Sequence, residues 1–159
     1  MDLNDWILAL HVLSAFALVA GMVLFWILIV AVRQTDLPEA TVRMVPVVKV
    51  GNACIAIGGV GTIVFGIWLA IALIAYQPWD GWVIGAIVLW AVAMATGGRA
   101  GVAYTKGMKK AEELQASGQS GPSAELLELN RASSGLLMQT LATIAIALLL
   151  IDMIWKPGA

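Results

Sequence analysis

The chain has 159 residues, of which 61% are hydrophobic and 12% charged, with a formal net charge of −1 at pH 7. One domain's length with about half the usual share of charge excludes a disordered chain, a nucleic-acid binder and a small disulfide scaffold, and leaves too few polar residues to cover a soluble globule. The mean hydropathy of +0.92 fits a protein whose solvent is lipid.

Trp6 to Val32 is apolar except for His11 and Ser14. A bilayer core takes about 20 helical residues. Asp2 and Asp5 stand where a signal peptide would carry basic residues, so the run reads as a retained first span. The second span is Val50 to Tyr76, with Asn52 and Thr62 as its polar members. The third is Trp82 to Tyr104, with Arg99 near its end. The fourth is Ser134 to Trp155, with Gln139, Thr140, Thr143 and Asp152 inside it. None alternates with period two, which excludes a membrane barrel. Helices satisfy their own backbone groups where lipid cannot. The expected fold is all-α, a single transmembrane domain built as a four-helix up-down bundle. The one cysteine, Cys54, has no disulfide or metal-motif partner. In its apolar run it reads as a small packing residue, with a reactive thiol as the competing reading.

Aromatic side chains favour the headgroup level. Up-and-down threading places Trp6, Tyr76, Trp79, Trp82 and Trp155 near one membrane face, and leaves Trp26, Trp68 and Trp90 deeper, as packing or lipid-facing residues. Basic residues set the orientation. The first connection holds Arg33, Arg43 and Lys49. The third holds Lys106, Lys109, Lys110 and Arg131, with Arg99 just before it. Of nine basic residues only Lys156 lies on the other side. The positive-inside rule then puts both termini outside and both long connections in the cytoplasm of a bacterium, with the chain in its inner membrane.

In the first connection, Asp36-Leu37-Pro38-Glu39 predicts a short helix capped by Asp36, with Pro38 in its first turn and Pro46 at its end. A plain polar loop is the alternative. In the third, Lys106 to Gln115 prolongs the third span as a helix, supported by the Lys109/Glu113 pair. Ala116 to Gly121 is a flexible turn. Pro122 opens a helix continuous with the fourth span, with Leu126, Leu129 and Leu136 near one face. This cytoplasmic helical extension reads as a solvated prolongation of the bundle. The competing reading is a docking surface for a partner.

Gly58, Thr62, Gly66 and Ala70 recur at i+4 on the second span, a small-residue stripe that lets another helix approach closely. Ala17 and Gly21 on the first span, and Ala93, Gly97 and Gly101 on the third, offer similar surfaces. Packing within the chain comes first. The partners such stripes also admit are a second copy or another membrane subunit, besides the lipid bilayer itself.

His11 is the only histidine and lies about 8 Å along its helix from Trp6. An ionisable side chain inside a span marks a functional site by default; the bland reading is a hydrogen bond to a neighbouring helix. Ser14 is one turn deeper, and Asp152 reaches a similar depth on the same side. The three form a candidate outer polar cluster in which a carboxylate would fix the imidazole tautomer. Met153 is a candidate soft metal ligand beside His11, or simply apolar packing. Asn52, Arg99, Ser134 and Gln139 form a candidate inner cluster, with Arg99 suited to a lipid phosphate or another anion. There the plainer reading has Arg99 snorkelling to the interface and Asn52 already at the boundary. No HExxH, GxSxG, Walker A or paired intramembrane carboxylate site is present, and Gly97-Gly98-Arg99-Ala100-Gly101 follows no strand. Nor do broken helix pairs with repeat symmetry suggest a transporter.

The run His-Val-Leu-Ser-Ala-Phe-Ala-Leu-Val-Ala-Gly-Met from His11 resembles the opening helix of a bacterial family of predicted integral membrane proteins of unknown function, which looks related to the copper-resistance-D-like membrane superfamily. The resemblance extends over all four spans, the basic third connection and the Trp79-Asp80-Gly81-Trp82 turn. Some members of that superfamily bind haem b or copper through intramembrane histidines, and only His11 can carry such a role here. Two-histidine haem ligation would need His11 from two subunits or another ligand type.

The expected function is a non-enzymatic four-helix inner-membrane protein, an accessory or assembly subunit without a catalytic set. The alternative is a haem- or copper-binding redox or metal-handling protein centred on His11. A small oligomeric carrier is a third reading.

Overall fold

In a computed structural model, which describes residues 2–72 and 77–157, the chain is helical with no strand among the described residues. Four stretches are long and apolar enough to cross a membrane: Leu3–Arg33, Pro38–Ala72, Gly81–Ala116 and Ala124–Trp155. Tyr76, expected at the end of the second span, lies outside the described residues. Helix α1 spans Leu3–Arg33 and opens with reciprocal Asp2 and Asp5 side-chain bonds that satisfy two otherwise idle N–H groups.

The first connection folds as a short helix α2, Pro38–Val42, followed by α3, Val45–Ala72. Pro38 takes the first turn as expected, but Leu37 rather than Asp36 stands at the cap, with no side-chain bond. Asp36 instead offers its carbonyl to the Ser123 amide at 3.0 Å. Pro46 does not end α2. It falls in the first turn of α3, where a missing N–H costs no intrahelical bond.

Helix α4, Gly81–Ala116, is continuous through the third span and its extension. Its 36 residues reach about 54 Å, well beyond a hydrocarbon core of about 30 Å. Gly118, at φ 79°, makes the expected turn. Pro122 precedes the cap rather than opening a continuous helix. Ser123 caps α5, Ala124–Asn130, by accepting the Leu126 amide, and α6, Ser133–Trp155, starts afresh. The Arg33 guanidinium donates to the Arg131 carbonyl at 2.9 Å, and Arg131 Nε donates back to the Arg33 carbonyl at 3.3 Å. The arginine pair sits at the break, where Arg131 closes α5 and Ala132 turns away at ψ 119° before α6.

Helix α1 packs along α3, and α4 along α6. Phe25, Leu28, Ile29 and Val32 join Ala100, Tyr104 and Met108 in the largest buried cluster, where the Phe25 and Tyr104 rings meet edge to face at 6.1 Å. A second cluster holds Leu18, Ala93, Ala145 and Ile146 in mid-bundle. Beyond it, among the described residues, Ala70, Trp82 and Val83 form a smaller cluster. The core thus thins toward the end farthest from Arg33. Long apolar side chains such as Phe16, Ile57, Ile71 and Ile154 are exposed along the helices, the distribution a lipid solvent favours. Trp6, Trp79 and Trp155 are exposed, whereas Trp82 is buried. Trp26 and Trp90 bridge helices, donating to the Thr143 hydroxyl at 2.8 Å and the Gly59 carbonyl at 3.0 Å.

Candidate functional site

Where the core thins, a cleft of about 540 Å³ opens between the α1–α3 and α4–α6 pairs. The size is that of a small-molecule site. All four long helices supply its walls, and aliphatic side chains dominate them. Its polar members are His11 from α1, Thr62 from α3, the indoles of Trp82 and Trp90 from α4, and Lys156 just past α6. Met153 lines the same cleft, so the two candidate soft-metal donors, His11 and Met153, share one space.

His11 is held by the helix paired with its own. Its Nδ1 lies 3.1 Å from the Thr62 carbonyl oxygen. A carbonyl only accepts, so Nδ1 carries the proton and the neutral ring has a bare Nε2. Gly66 makes the seat, since a Cβ there would stand 3.0 Å from His11 Cε1. Thr62 and Gly66, expected as plain close-approach positions, therefore serve the imidazole. Gly58 alone of the stripe sets helix separation directly: a Cβ would fall on the Leu18 backbone. Ala70 packs with Trp82 and Val83. Gly21 is equally tight, with Gly51 O at 2.9 Å from its added Cβ, whereas Gly101 faces open space.

The other members of the outer group point elsewhere. The Ser14 hydroxyl donates to the Leu10 carbonyl of its own helix at 2.7 Å, and it fills the space left by Gly61. Asp152 faces α4, with its Oδ1 3.5 Å from where a Gly85 Cβ would be. It does not line the cleft.

Of the inner group, Asn52 and the buried Gln139 share a smaller cleft of about 350 Å³ with Met94 and Gly97. Arg99 and Ser134 are exposed and do not line it. Beyond α6, Lys156 takes a left-handed backbone at φ 43° and lays its ammonium 5.4 Å from the Trp82 ring centre. Sequence reasoning left Thr62 as a packing residue and gave Trp82, Trp90 and Lys156 no part in a site. Thr62, Trp82 and Trp90 lie on helices α3 and α4, and Lys156 just past α6, so the cleft is assembled only across the bundle.

Among the described residues no group of three or more His, Cys, Asp or Glu side chains is placed to hold a metal ion. No family model matches the chain, and neither does any curated protein or solved structure.

Proposed function

We propose that the chain is a bacterial inner-membrane protein, threaded up and down with both termini outside, that holds an apolar ligand in its outer-leaflet cleft as a non-enzymatic accessory subunit. The observation that carries this reading is the cleft itself: four helices diverge around an apolar space into which one oriented imidazole is built. Core side chains ordinarily fill such space, because interiors pack densely. The basic first and third connections support the orientation. Absence of a catalytic motif supports a binding role over an enzymatic one.

Photolabelling tests the reading. With an alkyl diazirine in liposomes holding the purified protein, labelling of Met153 and Val19 in the cleft should saturate at low probe, while labelling of exposed Ile57 and Ile71 rises in proportion to probe. Proportional labelling everywhere would contradict a cleft site.

A second reading, haem at His11, is favoured by the same Nδ1 bond, because a histidine tied through one nitrogen to a carbonyl presents the other to a metal. His11 would hold such a group among apolar walls, and Met153 lines the same space as a second donor type. Haem would supply one-electron chemistry there. The donor set does not fit a copper cage, which needs more ligands than His11 and Met153. A Soret band in protein expressed with haem supplied, lost in His11→Ala, would favour this reading; colourless protein removes it.

A further inference from the structure

We propose that the cleft binds the phenolic head of a membrane-dissolved hydroquinone, an aromatic diol carrying an apolar chain. This rests on reading the cleft as a ligand site.

His11 Nε2 and the Thr62 hydroxyl, side by side in the cleft lining, make no hydrogen bond among the described residues. The imidazole Nε2 is left as an acceptor once Nδ1 donates to Thr62. The threonine hydroxyl oxygen is buried and unbonded although the residue is only 9% exposed. That is unusual within this chain. Thr96, Thr105, Thr140 and Thr143 each turn the hydroxyl back to the carbonyl four residues earlier, as helical threonines do. Thr62 does not, and it lines the cleft beside the imidazole its own carbonyl orients. In an apolar setting both groups are costly to leave unmade.

A hydroxyl both donates and accepts, so a ligand carrying hydroxyls can donate to Nε2 and accept from the threonine. A ketone or ester oxygen only accepts, so it leaves Nε2 bare. A phosphate brings a charge, and among the described residues the one charged side chain lining the cleft is Lys156, past the end of α6 rather than beside Thr62. The walls favour an aromatic hydroxyl over an aliphatic one. Phe16, Trp82 and Trp90 line it with aromatic surface, and Trp90 already spends its N–H on Gly59. A phenol is also the stronger donor to a neutral imidazole. The apolar chain would run past Leu18 and Ile146 toward mid-bundle. Binding alone is inferred, with no electron transfer.

Calorimetric titration in mild detergent under anaerobic conditions tests this. The probes are a decyl-substituted benzohydroquinone, its dimethyl ether and the matching benzoquinone. The diol should bind at one site, with the ether and the quinone about tenfold weaker, the loss expected for one unmade hydrogen bond to a buried group. Thr62→Val and His11→Phe should each weaken the diol about tenfold, while Thr62→Ser, which keeps the hydroxyl, should restore it. Equal affinity for diol and ether, or a Thr62→Val protein that binds the diol as tightly as the parent, overturns the proposal. So does a Soret band that occupies His11. Should the diol fail to bind while cleft photolabelling still saturates, the hydroquinone assignment falls and the ligand cleft stands. Failure of both removes both.

Discussion

Gly58→Ala is expected to destabilise the protein by about 2–3 kcal/mol, and Gly58→Leu to prevent α1 and α3 from pairing at all. A Cβ at position 58 would collide with the Leu18 backbone nitrogen and would lie 2.7 Å from both Leu18 Cα and the Ser14 carbonyl oxygen. All three atoms are main chain of a long helix, so no rotamer change relieves the contact. In lipid, helices gain little from burying apolar surface against each other, and close backbone approach supplies the packing instead. The matched control is Gly98→Ala, where nothing stands within 4 Å of the new methyl. That change should be neutral or slightly stabilising, because alanine is the better helix former. Unfolding in mixed micelles, followed by circular dichroism, measures both. Equal midpoints for the two variants would show that Gly58 does not set the helix spacing.

The second large effect is expected at Asn130, which is 1% exposed and ties together three parts of the chain. Its Nδ2 donates to the Thr35 carbonyl at 3.2 Å and the Thr41 hydroxyl at 3.4 Å, while Oδ1 lies where a Gly107 Cβ would be, 2.6 Å away. The end of α1, the short α2 and the end of α5 are thus tied together by one amide, whose buried Oδ1 makes no hydrogen bond and rests against Gly107 of α4. Asn130→Asp keeps the shape but replaces the donor with a second acceptor and buries a charge, at a cost of about 3 kcal/mol or more near neutral pH. Acidification returns a proton to the carboxyl, and with it a donor, so the variant should regain stability as pH falls. Asn130→Ala should cost less, about 1–2 kcal/mol, and show no such pH recovery. Both are read from the same unfolding curves. An Asn130→Asp protein as stable as the parent at neutral pH would contradict the amide's role.

What the sequence makes legible is what depends on composition along the chain. Oily runs of membrane length, interrupted by connections rich in lysine and arginine, specify four long helices, and helix-forming residues after Tyr104 specify that α4 continues to Ala116. Helix ends that depend on distant contacts are not legible. Helix α5 ends at Arg131, whose carbonyl is bonded by Arg33, a residue far away in sequence. Pro46 reads equally as an end or a beginning until Val45 is seen to start α3.

The site divides in the same way. His11 stands out because it is an imidazole in an apolar run. Depth along a helix then groups it with Ser14 and Asp152, but depth fixes no azimuth. Asp152 faces Gly85, Ser14 bonds to its own helix, and His11 bonds to Thr62 on the paired helix. The small residues of α3 look alike in sequence, yet Gly58 sets a helix spacing while Gly66 and Thr62 seat an imidazole. The cleft is a gap between two helix pairs, and no residue in any one helix announces it.

Which ends of these helices face outward decides whether the cleft opens to the outer leaflet. The chain has one native cysteine, Cys54, so a Cys54→Ser background allows single cysteines to be placed at will. Labelling intact cells with a membrane-impermeant maleimide should modify Asp80→Cys readily and Ser120→Cys only after permeabilisation. Labelling of Ser120→Cys from outside, with Asp80→Cys protected until the cells are opened, would contradict an outer-leaflet cleft.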